Sequence, residues 1–169
     1  MANRAIFNRK YTSYTTGGTS VFLVNGGGVT TSLPATQEFT AGETLIQGDF
    51  VYVSGSSVFK ASALSGLAAF NYNVIGATAG AAAASSSVEV NLDGTAVLSA
   101  SNIVGETALI PGQFYFLSKY SGQVTRYNTA SGEVSNSGTF QHQVLAPVGL
   151  AVSTTEFDVE IQPVTILYN

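Results

Sequence analysis

Apolar residues along this chain recur in short bursts at every second position, and each burst is bounded by Gly, Ser, Asn or Pro. A period of two sends alternate side chains to opposite faces of a strand. "SVEVNL" (87–92) shows it most cleanly, with Val88, Val90 and Leu92 on one face and Glu89 and Asn91 on the other. "FDVEI" (157–161) repeats the pattern, Phe157, Val159 and Ile161 inward and Asp158 and Glu160 outward. Further strands are expected in "SVFLV" (20–24), "DFVYVS" (49–54), "QFYFLS" (113–118), "QVLAPVGLAV" (143–152) and "EFDVEIQPVTIL" (156–167), all rich in β-branched and aromatic residues. Only "KASALSGLAAF" (60–70) offers a helix, and its central Gly66 costs about 1 kcal/mol there. Asp93-Gly94 suits the positive φ of a type I′ turn, which predicts a hairpin from "SVEVNL" into "TAVLSA" (95–100). "NGGGVTTS" (25–32), "AGAAAASSS" (79–87) and "YNTASGEVSNSGTFQ" (127–141) read as connectors, the last long and exposed. The class is all-β.

The strand pattern is written twice. "GETLIQGDFVYVS" starts at Gly42 and "GETALIPGQFYFLS" at Gly105. Beyond them, "SSVFKA" (56–61) matches "GQVTRY" (122–127), "VIGATA" (74–79) matches "PVGLAV" (147–152), and "SVEVNL" matches "EFDVEI". Gly48 and Gly112 fall where a tight turn needs positive φ, and Pro111 presets the preceding corner of a type II turn. Gly76 and Gly149 interrupt apolar strands, the sign of a bulge or a close backbone approach. The expected architecture is a compact antiparallel β-barrel or sandwich built from two pseudo-repeats, about 41–100 and 104–167, within a β body of residues 41–169. An extended N-terminal arm, residues 1–40, precedes it.

Composition changes this picture in one respect. Charged residues make up 9% of the chain, against roughly 25% in ordinary soluble domains. A surface so poor in charge resists association weakly, which favours a protein covered by partners, and self-association is expected. The charge is also uneven: residues 1–40 sum to +2 and residues 41–169 to −6. Arg4, Arg9 and Lys10, with Phe7, Tyr11 and Tyr14 as apolar anchors, mark the arm as the segment that docks on an acidic neighbour. The net charge of −4 argues against direct nucleic-acid binding. No run approaches the roughly 20 apolar residues of a spanning helix, so no membrane partner is expected, and no secretory leader either. Cysteine is absent, which removes disulfides and thiolate metal sites.

The chemistry of catalysis is thin. His142, the one histidine, sits in "FQHQV" with no acid near it in sequence, and the Gly-rich "NGGGVTTS" lacks the Lys of a phosphate loop. Glu43 and Glu106 occupy matching positions beside turns, where accepting turn amides is the simplest role. No calcium-loop pattern of alternating acids occurs. No enzyme, cofactor or metal is expected. Phe50, Tyr52, Phe114 and Phe116 alternate as core residues do, leaving Tyr120, Tyr127 and Tyr168 as the aromatics expected to be exposed.

The order "AGETL…GDFVYV…KA…VIGATA…VEV…LIPGQFYFLS…GQVT…VGLAVS…VEI" resembles a β-structured module of tailed-bacteriophage virion proteins. It is most similar to small capsid decoration, or cement, proteins, and related modules occur in tail fibres and spikes. The resemblance spans roughly residues 41–167 and rests on Gly/Pro turns and aromatic strands, which constrain fold more than function. It implies a structural virion protein on the outer capsid surface, often a homotrimer, which binds the major capsid protein and reinforces the shell against internal DNA pressure. The alternative it leaves open is a tail-fibre or spike module that binds host-surface glycan through an exposed aromatic groove.

Overall fold

A computed structural model of the chain describes residues 35–64, 71–126 and 142–168. It is all-β, with twelve strands and one 3₁₀ turn among those residues. The first five strands are β1 (Thr36–Ala41), β2 (Phe50–Ser54), β3 (Ser57–Lys60), β4 (Gly76–Thr78) and β5 (Ser87–Asn91), closed into a barrel in the order β1-β3-β2-β4-β5. A second sheet contains β6 (Gly94–Val97), β7 (Phe114–Leu117), β8 (Val124–Arg126), β10 (Pro147–Ala151) and β11 (Glu156–Val159), in the order β6-β11-β10-β7-β8. Strands β9 (His142–Leu145) and β12 (Thr165–Tyr168) pair separately.

The two sheets share one topology. In the first, β2 pairs antiparallel with β3 and β4, β4 with β5, and β5 with β1. In the second, β7 pairs with β8 and β10, β10 with β11, and β11 with β6, again antiparallel. The pseudo-repeat read from the sequence is thus a repeat of connectivity. Its turns also match. Gly48 (φ +83°) and Gly112 (φ +79°) each follow a corner residue, Gln47 or Pro111, and the turns close with Asp49 N–H donating to Ile46 O and Gln113 N–H to Ile110 O, both at 3.2 Å.

Closure separates the halves. Strand β1 is long enough to leave β5 and join β3 in parallel, Thr40 facing Ser57 and Ala41 facing Val58. In the second half, Leu98–Asn102 intervene after β6 and form the 3₁₀ turn Ala100–Asn102. Among the described residues a single parallel bridge, Ile103 to Val124, then touches β8. The gap is filled by the first barrel. Phe50 N–H donates to Gly122 O at 3.0 Å, and Gly48 lies so close to Val97 O and Asn102 Oδ1 that a Cβ there would stand 2.8 and 2.9 Å from them.

Packing follows from this plug. The closed barrel has its own interior of Ala41, Leu45, Val51, Val58, Ala82, Val88 and Val90. Phe50 and Ala77, from the same barrel, face the other way and join the larger core around Tyr115, Val148, Phe157 and Val159. Asn91, expected to face solvent, is buried because it pairs with Ala77 on this covered side.

Several sequence expectations need correction. No β5–β6 hairpin forms: Gly94 does take positive φ (+81°), but Asp93-Gly94 carries the chain from one sheet to the other. β6 instead pairs with β11, Val97 facing Glu156. The two long apolar runs each split in two, because Pro147 and Pro163 cannot donate to a ladder. Residues 36–40, assigned to the arm, are barrel strand. Ala61–Leu64 are not helical, and the rest of that stretch, like 20–24, 25–32 and 127–141, lies outside the described residues. The connector expected at 79–87 is a loop up to residue 86, tied down by the Leu45–Ala82 bridge, and Ser87 opens β5.

Candidate interaction surface

The four glycines singled out in the sequence all hold backbone geometry. Gly48 and Gly112 make the turns described above. A Cβ on Gly76 would overlap the carbonyl oxygen of Asn91, and one on Gly149 that of Asp158, so both allow β4 and β10 to approach their neighbours closely. Gly149 also sits at a register shift between β10 and β7, the bulge expected there.

The acids serve the scaffold. Asp49 is buried, caps the Ile46 N–H at 2.9 Å and meets the Lys60 ammonium at 3.2 Å. Burial raises its carboxyl above the usual range, although the Ile46 amide and Lys60 pull the other way. Its counterpart Gln113 carries no charge, and in that repeat the Tyr115 hydroxyl accepts the Ile110 N–H instead, at 3.0 Å. The hydroxyl donates in turn to Glu106 Oε2 at 2.9 Å, and Glu106 pairs with Arg126, the counterpart of Lys60. Burial of Tyr115 raises its phenol above the ordinary value. Glu43 accepts the Lys60 N–H at 2.7 Å. The two glutamates therefore do not accept turn amides, as the sequence had suggested; they tie strand ends and a buried tyrosine.

Among the described residues no three His, Cys, Asp or Glu side chains converge on a point where they could hold a metal. A shallow depression over the β1–β5 ladder is lined by Thr36, Gln37, Glu38, Ser87 and Glu89. Glu38 and Glu89 stand directly opposite each other there, a like-charge pair on a solvated face. His142 lies on β9, its backbone paired with Tyr168. No helix among the described residues is long and apolar enough to cross a membrane, which does not bear on strands.

The surface feature that stands out is apolar. Phe114 is 51% exposed although its repeat counterpart Phe50 is 0% exposed, so the expectation that both are core fails at Phe114. Its cross-strand neighbour is Leu150, as Ala77 is the neighbour of Phe50. Leu150 and Val152 alternate outward with the buried Ala151 between them, and Ala151 is hydrogen-bonded to Gly112 and Gln113. Ile110, Phe114 and Val152 thus form an exposed patch at the start of β7. Tyr120 is exposed, as expected, and the Lys119 ammonium lies 5.3 Å from its ring centre. Tyr52 is half-buried against Phe59, and Phe116 is half-buried.

Arg4, Phe7, Arg9, Lys10, Tyr11 and Tyr14, the candidate docking residues of the arm, lie outside the described residues, as does Tyr127. The sequence matches no protein-family model and no curated protein sequence. Reading missed the Phe114 patch because alignment of the repeats makes Phe50 and Phe114 look alike. One signal was present: Ala77 is small where Leu150 is large, and only the small residue permits another sheet to approach.

Proposed function

We propose that the chain is a structural virion protein, a capsid decoration (cement) protein that binds the major capsid protein and stabilises the outer surface of a phage capsid as an oligomer. The observation that carries this reading is how the two repeats are built. Most matched positions are turns, core residues or ion pairs that tie strands, so the duplication specifies a scaffold. Chemistry on such a scaffold resides in its surface, and that surface is poor in charge and has an apolar patch, as suits a protein working under cover of partners. The sequence resemblance over roughly residues 41–167 supplies the kind of partner.

The test is co-sedimentation with assembled capsids. Binding to assembled shells and not to free coat subunits, with a higher temperature of DNA release from decorated particles, is the expected result. Absence of binding overturns the proposal. Density for this chain on the tail in a map of the intact particle, together with a glycan-array hit, selects the fibre or spike module instead.

A further inference from the structure

We infer that Asp93-Gly94 is a site of self-modification, where the Asp93 side chain and the Gly94 amide close to a succinimide that reopens as isoaspartate. The inference goes beyond the proposed function and does not depend on it.

The argument begins with the placing of one nitrogen. Gly94 N–H donates to Asp93 Oδ1 at 2.9 Å, so the attacking atom already lies against the carboxyl. The carbon to be attacked is bonded to that oxygen, which sets the reacting pair near the roughly 3–3.5 Å of a near-attack arrangement. Asp93 is exposed, so water reaches its carboxyl. Gly94 has no side chain to shield its nitrogen, and a Cβ built on it would meet nothing within 4 Å.

The other two aspartates of the chain set the contrast. Asp49 is buried, and the nitrogen that follows it, of Phe50, is committed to Gly122 O at 3.0 Å. Asp158 lies within β11, paired on both sides with Leu150 and Thr95, and the β-branched Val159 follows it. Asp93 belongs to neither ladder beside it, since β5 ends at Asn91 and β6 begins at Gly94. It sits in a bend held only at one side, by Ala35 O, which accepts Leu92 N–H at 2.8 Å and Asp93 N–H at 3.4 Å.

The reaction needs no reagent but water. The Gly94 nitrogen bonds to Asp93 Cγ, the C–OH bond of the protonated carboxyl breaks, and the hydroxyl leaves as water with the amide proton. A water molecule then opens the ring at the Asp93 main-chain carbonyl, which leaves Gly94 joined through Cγ and restores the original mass. The main chain thereby gains one atom, Cβ, between two fixed ladders. Asn91 is held by Thr36 and Ala77, and Gly94 by Val159, so the added length strains the joint where the chain leaves the barrel for the second sheet.

The experiment is warm storage of the full chain, folded in mildly acidic buffer, followed by residue-resolved peptide mapping for isoaspartate. Asp93→Glu, which would need a larger and slower-forming ring, is stored beside it after circular dichroism has established that it folds. The expected result is isoaspartate accumulating at residue 93 of wild type and none at residues 49 or 158. Stored wild type should also lose urea midpoint relative to its fresh sample, while stored Asp93→Glu keeps its own. A residue 93 that stays unmodified in the folded chain overturns the inference, even if the chain converts when unfolded in urea. Isoaspartate spread equally over the three aspartates overturns it too, since the fold would then select nothing.

Discussion

Phe50 of the closed barrel meets Phe157 of the open sheet edge-to-face, ring centroids 5.6 Å apart and planes at 83°. Phe157 makes a second such contact with Tyr115 at 6.0 Å and 77°, so one aromatic from the first repeat completes a cluster in the second. Among the described residues no ladder closes the second sheet, and the cluster shows what fills that side. Apolar surface that a closing strand would have covered is covered by the neighbouring barrel.

Replacing Phe50 by Ala removes that plug. The ring is fully buried, and truncating a buried Phe typically costs about 3–5 kcal/mol through lost transfer energy and the cavity left behind. Phe114→Ala, at the matching but exposed position, should cost under about 1 kcal/mol in the isolated subunit. Urea denaturation of both variants measures the contrast. Similar losses from the two would mean that the plug does not hold the halves together.

The order of elements in each half was legible because it depends on short-range rules: alternation at Val88 and Val90 and glycine turns at Gly48 and Gly112, whereas the strand breaks at Pro147 and Pro163 were passed over within apolar runs. The relation of the halves was not legible. The hairpin expected at Asp93-Gly94 obeys its turn chemistry but loses to tertiary pairing, since β6 finds β11 far along the chain. Nothing in "TAVLSA" announces that choice. The candidate surface was hidden for the same reason, because burial of Phe50 and exposure of Phe114 are decided by which sheet lies opposite.

Gly149 and Gly112 should respond differently to Ala. Gly112 has positive φ and open space around it, so Gly112→Ala pays mainly for backbone conformation, about 1 kcal/mol. Gly149 adds a collision between its new Cβ and the Asp158 carbonyl, which forces β10 and β11 apart. Its Ala variant should lose several-fold more stability, on the order of 3 kcal/mol or failure to fold. Thermal unfolding ranks the two, and equal losses would refute the close-approach account.

Tyr115→Phe keeps the buried ring but leaves the Ile110 N–H and Glu106 without the hydroxyl between them. The cost should be about 1–3 kcal/mol, the range for stranding a partly buried polar group. The phenol is raised above 10.0 by burial. Its contribution is therefore complete below the unfolded value and is lost as pH climbs through the folded one. Wild type should lose stability relative to Tyr115→Phe above about pH 10. Parallel stability curves for the two proteins through that range would show that the hydroxyl titrates as it does in the unfolded chain.

Asp49 supplies the corresponding test at acid pH. Its carboxyl is raised above 3.8, chiefly by burial, with the Ile46 amide and Lys60 offsetting only part of that penalty. A raised acid favours the folded state most when it is protonated, so its contribution is full below the unfolded value and declines as pH rises through the folded one. Asn at this position is neutral throughout and can still accept the Ile46 N–H. The other carboxylates are common to both proteins and cancel in the comparison. Asp49→Asn should therefore gain stability relative to wild type as pH rises from about 3 towards 7, read from urea midpoints at unit steps. If wild type gains instead, the Lys60 ammonium, 3.2 Å away, outweighs the burial of the carboxylate, and the pair stabilises the first turn.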